Sequence, residues 1–416
     1  MSGLKEIELW GGSSVDDHGK FVFKNYIGDL PFFSADDFIQ KLNEVIVQND
    51  IDYIYPAMDN VVDFFARFSG ELEAEVIGSN SETTNIALSK EKTYKALEDV
   101  IRCPRRLQVE ELMQGDFPVF LKPEVGYGSI GVLLAKSKSE VIQALEQNPS
   151  LMVLEYLPGD EYTVDCFTDY KGKLQFFGAR QRCRVARGIS VNTVSVGDDM
   201  GEFGSIAKAI NKTIRFNGAW FFQVKRTQSG ELALLEVAPR IAGSMGLHRC
   251  KGVNLPLLSV FNQAGREVTA LENQYKTVYD RAFYNRVRIS HPFSRLYLDF
   301  DDCLLMDGKF LNPKILMLIA ECRNARKPII LITRHAGDLE LKLSELGVRG
   351  LIDEVIHLQQ GEPKSEYMTD VNGFFVDDSF KERLEASAVG VASLGPESVE
   401  ALLKYNINEN TSHILS

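Results

Sequence analysis

The chain has 416 residues, of which 44% are hydrophobic and 25% charged, and its formal net charge is −12. That length calls for two or three domains, the composition excludes a disordered, collagen-like or coiled-coil chain, and the acidic balance argues against non-specific binding to nucleic acid or anionic membranes. No apolar run approaches the ~18 residues that span a bilayer. The start, MSGLKEIELW, lacks the basic-then-apolar order of a secretory signal, so a cytoplasmic protein is expected. The six cysteines (Cys103, Cys166, Cys183, Cys250, Cys303, Cys322) contain no C-x-x-C pair, and buried reduced thiols are expected rather than zinc or disulfide frameworks.

Apolar strand-like runs alternate with amphipathic stretches along the chain, an α/β pattern without internal repeats. The first segment reads as helix over 35–48, strand over 53–56 and helix over 60–72, a small α/β unit. The middle carries the β-rich runs VFLKP, LMVLEYL, YTVDCF, LQFFGA, AWFFQV and LALLEVA. Antiparallel hairpins are the simplest arrangement, with KRTQSGE a polar turn between two strands. A composition break at 290–294, with His291 and Pro292, precedes a new strand, RLYLDF. Three domains are expected, over 1–75, 76–290 and 294–416.

In VFLKPEVGYGSIGV an apolar strand ends at Lys122 and is followed by a loop holding Gly126, Gly128, Ser129 and Gly131. Glycines let backbone N–H groups approach phosphates, and a lysine at the strand end neutralises their charge. Alone, such a loop is as readily a plain turn. Some 25 residues on, LEYLPGDEYTVD offers an acidic, aromatic strand end, a Pro-Gly turn and then Glu161. Together these motifs resemble the nucleotide site of carbamoyl-phosphate-synthase-like ATP-grasp enzymes, over about residues 20–265. The resemblance implies that main-chain groups near Glu155, Tyr156 and Leu157 read the adenine and that Glu161 holds the ribose. Lys122 and Lys90 would contact the nucleotide, with Lys92 the fallback for Lys90; both residues of SKEKTYKAL also read as solvated helix charges. FFQV and LLEVAPRIAGS resemble the family's metal hairpin, which implies Gln223 and Glu236 as magnesium ligands and Arg240 as the group stabilising a transferring phosphate or acyl phosphate. Of Arg180, Arg182, Arg184 and Arg187, some are expected in the same cleft, and a plain basic strand surface is the alternative. Two departures stand out: Ala238 occupies a place where the family commonly has Asn, and a first strand is missing before ELWGGSS, so the N-terminal unit is read as reduced.

In LYLDFDDCLL an apolar strand ends in Asp299, Asp301 and Asp302. Strand alternation sends Asp299 and Asp301 to the same side, at the carboxyl end where open α/β sheets place ligands. Two such carboxylates can divide labour, one as nucleophile and one as proton shuttle, if a cation offsets their repulsion. IILITRH then supplies Thr333, GEPKSEY supplies Lys364, and FFVDDSF ends in Asp377 and Asp378, hard oxygen donors for magnesium. Each acidic residue alone is also a common turn former. The ordered set resembles the haloacid dehalogenase superfamily of phosphatases. The resemblance implies a doubly wound parallel sheet, Asp299 as nucleophile forming an aspartyl phosphate, Asp301 as general acid/base and further metal ligand through its carbonyl, Thr333 and Lys364 as phosphoryl binders, and Asp377 and Asp378 as the magnesium site. Cys303 stands where the family often has Thr, a position that packs. The gaps from Asp301 to Thr333 and from Thr333 to Lys364 are too short for a cap domain, so the preceding domain is expected to shape access.

The combined expectation is a bifunctional α/β and α+β protein using Mg2+ and ATP: an amide-forming carboxylate-amine ligase acting through an acyl phosphate, and a phosphatase for a phosphate ester of the same pathway. A phosphatase whose ATP-grasp part only binds nucleotide or docks substrate is the alternative. Small-molecule carboxylate, amine and phosphate-ester substrates are the expected partners, with no nucleic acid and no membrane; a homo-oligomer is compatible with the sequence.

Overall fold

The computed structural model describes residues 7–126, 130–283, 287, 289 and 291–403. Contacts divide the chain into two compact units. The larger holds residues 28–283 with short pieces before them; the smaller holds the C-terminal part together with residues 10–12 and 16–27. ELWGG does form a strand, Trp10–Gly12, pairing in parallel with Asn25–Ile27, and this pair groups with the smaller unit rather than with the rest of segment 1–75. All six cysteines are free thiols.

The larger unit is built on a six-stranded antiparallel sheet in the order Leu232–Ala238, Gly218–Arg226, Glu161–Thr168, Leu174–Ala186, Ile189–Val196, Val278–Asp280. Strand Gly218–Arg226 carries apolar side chains on both faces because both are covered there. Trp220, Phe222 and Val224 point into one cluster with Phe203, Ala207 and Ile210 of helix Glu202–Thr213, while Ala219 and Phe221 point into another with Met245, Val253 and Leu255. Two of these strands escape a purely apolar reading of the sequence. Ile189–Val196 follows a tight turn at Arg187 and Gly188, both at positive φ (49° and 75°), and closes a hairpin on the basic run ARQRCRVA. Val278–Asp280 is an isolated edge strand of three residues.

A three-stranded sheet, Leu133–Ala135, Val119–Pro123 and Leu151–Glu155, stands apart with its own small core. Upstream, helix Phe38–Gln48, strand Tyr53–Ile54, helix Asp59–Arg67 and strand Glu75–Val76 form the expected α/β piece. Its second helix stops at Arg67, five residues short of the expected end, where Ser69–Glu71 turns as a 3-10 segment.

The smaller unit has a five-stranded, wholly parallel sheet in the order Glu354–His357, Ile329–Thr333, Leu296–Leu298, Phe374–Val376, Ala392–Leu394. Alternate side chains go to opposite faces. Leu296, Leu298, Ile329, Leu331, Phe374 and Val376 share one core with helices Pro313–Asn324 and Leu339–Glu345, and Tyr297, Ile330, Ile332 and Phe375 share a second on the other face. The sheet is doubly wound, with its switch point at the central strand Leu296–Leu298. Between Asp301 and Thr333 lie a short hairpin, Leu305–Met306 with Phe310–Leu311, and one helix. Three residues, 307–309, join its strands, with Asp307 and Gly308 both at positive φ (52° and 64°), where Asp and Gly are tolerated. Between Thr333 and Lys364 lie one helix, a 3-10 turn and one strand.

Candidate functional site

Each unit gathers chemistry at one place. In the larger unit it is a cleft of about 330 Å³ over the six-stranded sheet, lined by Lys90, Gly126, Arg180, Arg182, Gln223, Glu236, Ala238 and Arg240. Its floor depends on a β-bulge. Val224 pairs with Leu234, but Gln223 pairs with Glu236, so Leu235 is an extra residue in its strand. A one-residue insertion reverses the faces beyond it. Leu232 and Leu234 point into the apolar core below, and without the bulge Glu236 would follow them; with it Val237 points there instead and Glu236 comes to the cleft opposite Gln223. The carbonyl of Leu235 accepts hydrogen bonds from Tyr94 Oη at 2.8 Å and Lys122 Nζ at 3.1 Å.

Lys122 is buried, its ammonium also donating to Tyr94 Oη at 2.7 Å. Burial, reinforced by the charge of Lys90, pushes its pKa down to about 8 against the pull of Glu236 and Glu161. Lys90 donates to the carbonyls of Glu124 (3.4 Å) and Gly126 (3.2 Å), and burial lowers its pKa despite Glu236, Asp59 and Glu124. Lys92 instead reaches Asn85 on an exposed surface, at 2.6 Å, so of the two lysines Lys90 lines the cleft. Gly128 and Ser129 lie outside the described residues. The Glu155 carboxylate is held by Arg102 at 2.6 Å and the Arg105 N–H at 2.8 Å, Leu157 is buried and Tyr156 exposed. Glu161 pairs with Arg182 at 2.6 Å and lies 3.7 Å from Lys225.

Arg180 and Arg182 reach the cleft, whereas Arg184 pairs with Asp280 on the surface and Arg187 sits in the hairpin turn. Arg182 also bonds Gln223 and the Gly188 carbonyl. Arg180 is bound to the fully buried Asp165 at 2.6 Å, and Asp165 in turn contacts His248 at 3.1 Å. Arg240 is gripped by both oxygens of Asp59, at 2.6 and 2.7 Å, from the first turn of helix Asp59–Arg67. Asp59, Asp165 and His248 are residues that sequence reasoning missed. Asp59 lies 181 positions from Arg240, and no local pattern marks such a pairing.

In the smaller unit the functional groups stand at the carboxyl ends of the three central strands. Asp299 follows Leu298, Thr333 ends its strand, Asp377 follows Val376, and Lys364 opens a 3-10 turn, Lys364–Tyr367. All four are buried. The Lys364 ammonium lies 2.6 Å from both Asp299 and Asp377. Carboxylate oxygens of Asp299, Asp377 and Asp378 come within 4.8 Å of one another. Burial, against the pull of Lys364 and with the push of Asp377, raises the Asp299 pKa to about 7, and burial raises Asp377 as well. Three carboxylates facing one ammonium leave a charge deficit that suits a divalent cation with oxygen ligands. Asp301 is more exposed and accepts from His335 Nδ1 at 2.9 Å; Cys303 packs in the core with its thiol toward the Val376 carbonyl.

Among the described residues no helix is long and apolar enough to cross a membrane. Residues 147–282 match the family model for "ATP-grasp in the biosynthetic pathway with Ter operon". A D-alanine–D-alanine ligase of Thermotoga petrophila is 31% identical over 102 residues, covering 23% of this chain and 34% of that protein, so the chain spans about a third of this relative's length. Among solved structures, the biotin carboxylase domain of the 2-oxoglutarate carboxylase of Hydrogenobacter thermophilus, in complex with MgADP, ADP and bicarbonate, superposes with a TM-score of 0.56 at 15% identity, covering 65% of this chain and 68% of that one. The N5-carboxyaminoimidazole synthetase of Staphylococcus aureus, complexed with ADP, does so with a TM-score of 0.54 at 14% identity, covering 65% and 74%. Residues 147–282 thus carry an ATP-grasp sequence match, and the likeness to these solved structures is one of fold.

Proposed function

We propose that the protein is bifunctional: an ATP- and Mg2+-dependent carboxylate-amine ligase in the larger unit and a Mg2+-dependent phosphatase of the haloacid dehalogenase type in the smaller. The observation that carries the ligase reading is the convergence, in one cleft of an ATP-grasp fold, of Lys90, Glu236 and Arg240 with the phosphate-loop residue Gly126. Lys90 and Lys122 would neutralise the nucleotide phosphates, main-chain groups at Glu155–Leu157 would read the base, and Glu161, whose two oxygens offer more acceptor sites than Arg182 and Lys225 use, would hold the ribose. Gln223 and Glu236 offer the oxygens for magnesium. Arg240, fixed by Asp59, would stabilise the acyl phosphate formed when the acid's carboxylate oxygen takes the γ-phosphoryl group and ADP leaves. An amine then attacks the acyl carbon, giving the amide and expelling phosphate.

In the smaller unit Asp299 would attack phosphorus while Asp301, oriented by His335, gives its proton to the departing ester oxygen. Water then attacks the aspartyl phosphate and returns a proton to Asp301. Lys364 and Thr333 would hold the phosphoryl oxygens. Asp299, Asp377 and Asp378 would hold Mg2+, whose chemistry there would be to offset the negative charge of nucleophile and phosphate.

A second reading, a larger unit that binds nucleotide or docks substrate without ligation, draws on Ala238: it lies in the cleft beside Glu236 and offers no metal-binding oxygen. The test is ADP formation with ATP, Mg2+ and panels of acids and amines. ADP production lost in Glu236→Gln supports the ligase; ATP binding without turnover on any panel favours the second reading.

A further inference from the structure

Arg240 borders two chambers. Beyond the cleft lies a second cavity of about 420 Å³, and Ala57, Arg240, Ala242 and Gly243 line both. The two differ in character. The first is floored by charged and amide side chains, whereas the second is walled by Met245, Val253, Leu255 and Pro256, three of them almost fully buried. Among the described residues only two cations reach the second chamber, Arg240 and Arg249. Arg240 spends its Nε and Nη2 edge on Asp59 and one Nη1 hydrogen on the Ile241 carbonyl at 3.1 Å, so two of its five N–H groups are left for a ligand. Arg249, on the short helix Gly246–Cys250, is met by no carboxylate among the described residues, in a chain with twelve more acidic than basic residues.

An apolar chamber with a guanidinium at the phosphoryl-transfer end and another, unpaired, elsewhere on its wall is complementary to an anion at each end of an apolar body. We infer that the second chamber binds the acid to be activated, and that this acid carries a second anionic group recognised by Arg249. The inference rests on the ligase reading for its choice of Arg240 as the carboxylate end. The second anion is a carboxylate or a phosphate; both take the bidentate fork of arginine.

Binding of pentanoate, glutarate and phosphonobutyrate, and of their homologues with longer spacers, to the full chain in the presence of ATP and Mg2+ tests this by calorimetry. These acids share a spacer and differ at the far end. Glutarate-type or phosphonate-type acids should bind at least about tenfold more tightly than the matching monocarboxylates, and the better of the two identifies the second anion. In Arg249→Ala the gap should close to about twofold, with Arg249→Lys intermediate, while ATP binding stays as in the wild type. Equal binding of the three classes, a gap unchanged in Arg249→Ala, or no acid bound by a protein that binds ATP would overturn the inference and leave the nucleotide site standing. Absence of ATP binding itself would instead remove the ligase reading on which it rests.

Discussion

Replacing Asp299 by Asn should stabilise the smaller unit at neutral pH while abolishing its proposed chemistry. The folded unit holds the Asp299 pKa near 7 against an ordinary 3.8, because the carboxyl is buried. Between those values the unfolded chain releases a proton that the folded unit keeps, so stability is lost as pH climbs through that window and stays lost above it. The full gap corresponds to ~4 kcal/mol at pH 8. That gap already includes the downward pull of Lys364 on Asp299, so the expectation is ~4 kcal/mol of added stability at pH 8, vanishing near pH 4. Hydrogen-exchange protection of strands Leu296–Leu298 and Phe374–Val376 across that range measures it without Mg2+. Added Mg2+ should stabilise the wild type more than the variant, narrowing the difference. A variant less stable than the wild type at pH 8, or a difference independent of pH, would refute the argument that burial sets the charge state of Asp299.

Lys364→Met leaves Asp299 and Asp377 buried without their shared cation and should cost the smaller unit ~3–5 kcal/mol, partly recovered with Mg2+; denaturant unfolding checks this. Asp165→Asn strips Arg180 and His248 of their buried counter-charge and should lower the stability of the larger unit by ~3 kcal/mol or more, seen as a lower thermal midpoint. Burial opposes the charge on His248, but Asp165 and Glu272 outweigh it and raise its pKa above 6.5. That contribution is therefore complete below pH 6.5 and fades as pH rises past the folded value. If Lys122 pairs with nucleotide phosphate, ATP affinity should fall as pH rises from its free-protein pKa of about 8, and Lys122→Met should bind about tenfold more weakly (~1.4 kcal/mol) with that dependence gone. A pH-independent affinity in the wild type would remove Lys122 from the phosphate site.

Periodicity and turn chemistry made much of the fold legible. Buried parallel strands such as IILIT and FFV announce themselves as short apolar runs between helices, and KRTQSGE marks the turn between Gly218–Arg226 and Leu232–Ala238. The ordered carboxylates and Thr333 were readable because each stands at the carboxyl end of an apolar strand run, and Lys364 because it falls between them in chain order. What stayed hidden depends on contacts between distant positions. Asp59 looks like any acidic residue opening a helix, and only the fold brings it to Arg240. The bulge at Leu235 leaves just a doubled leucine in LALLEVA, yet it decides whether Glu236 faces the cleft or the core. The grouping of residues 10–12 and 16–27 with the C-terminal unit is equally invisible, since a parallel strand pair carries no mark of the larger unit with which it clusters.

The central claim is that two phosphoryl sites work separately in one chain. Following ADP and free phosphate on the same reaction mixture, with Glu236→Gln and Asp299→Asn compared against the wild type, tests it most directly. Glu236→Gln should lose ADP formation and still release phosphate from an added phosphate ester; Asp299→Asn should do the reverse. Either substitution abolishing both activities would contradict the division.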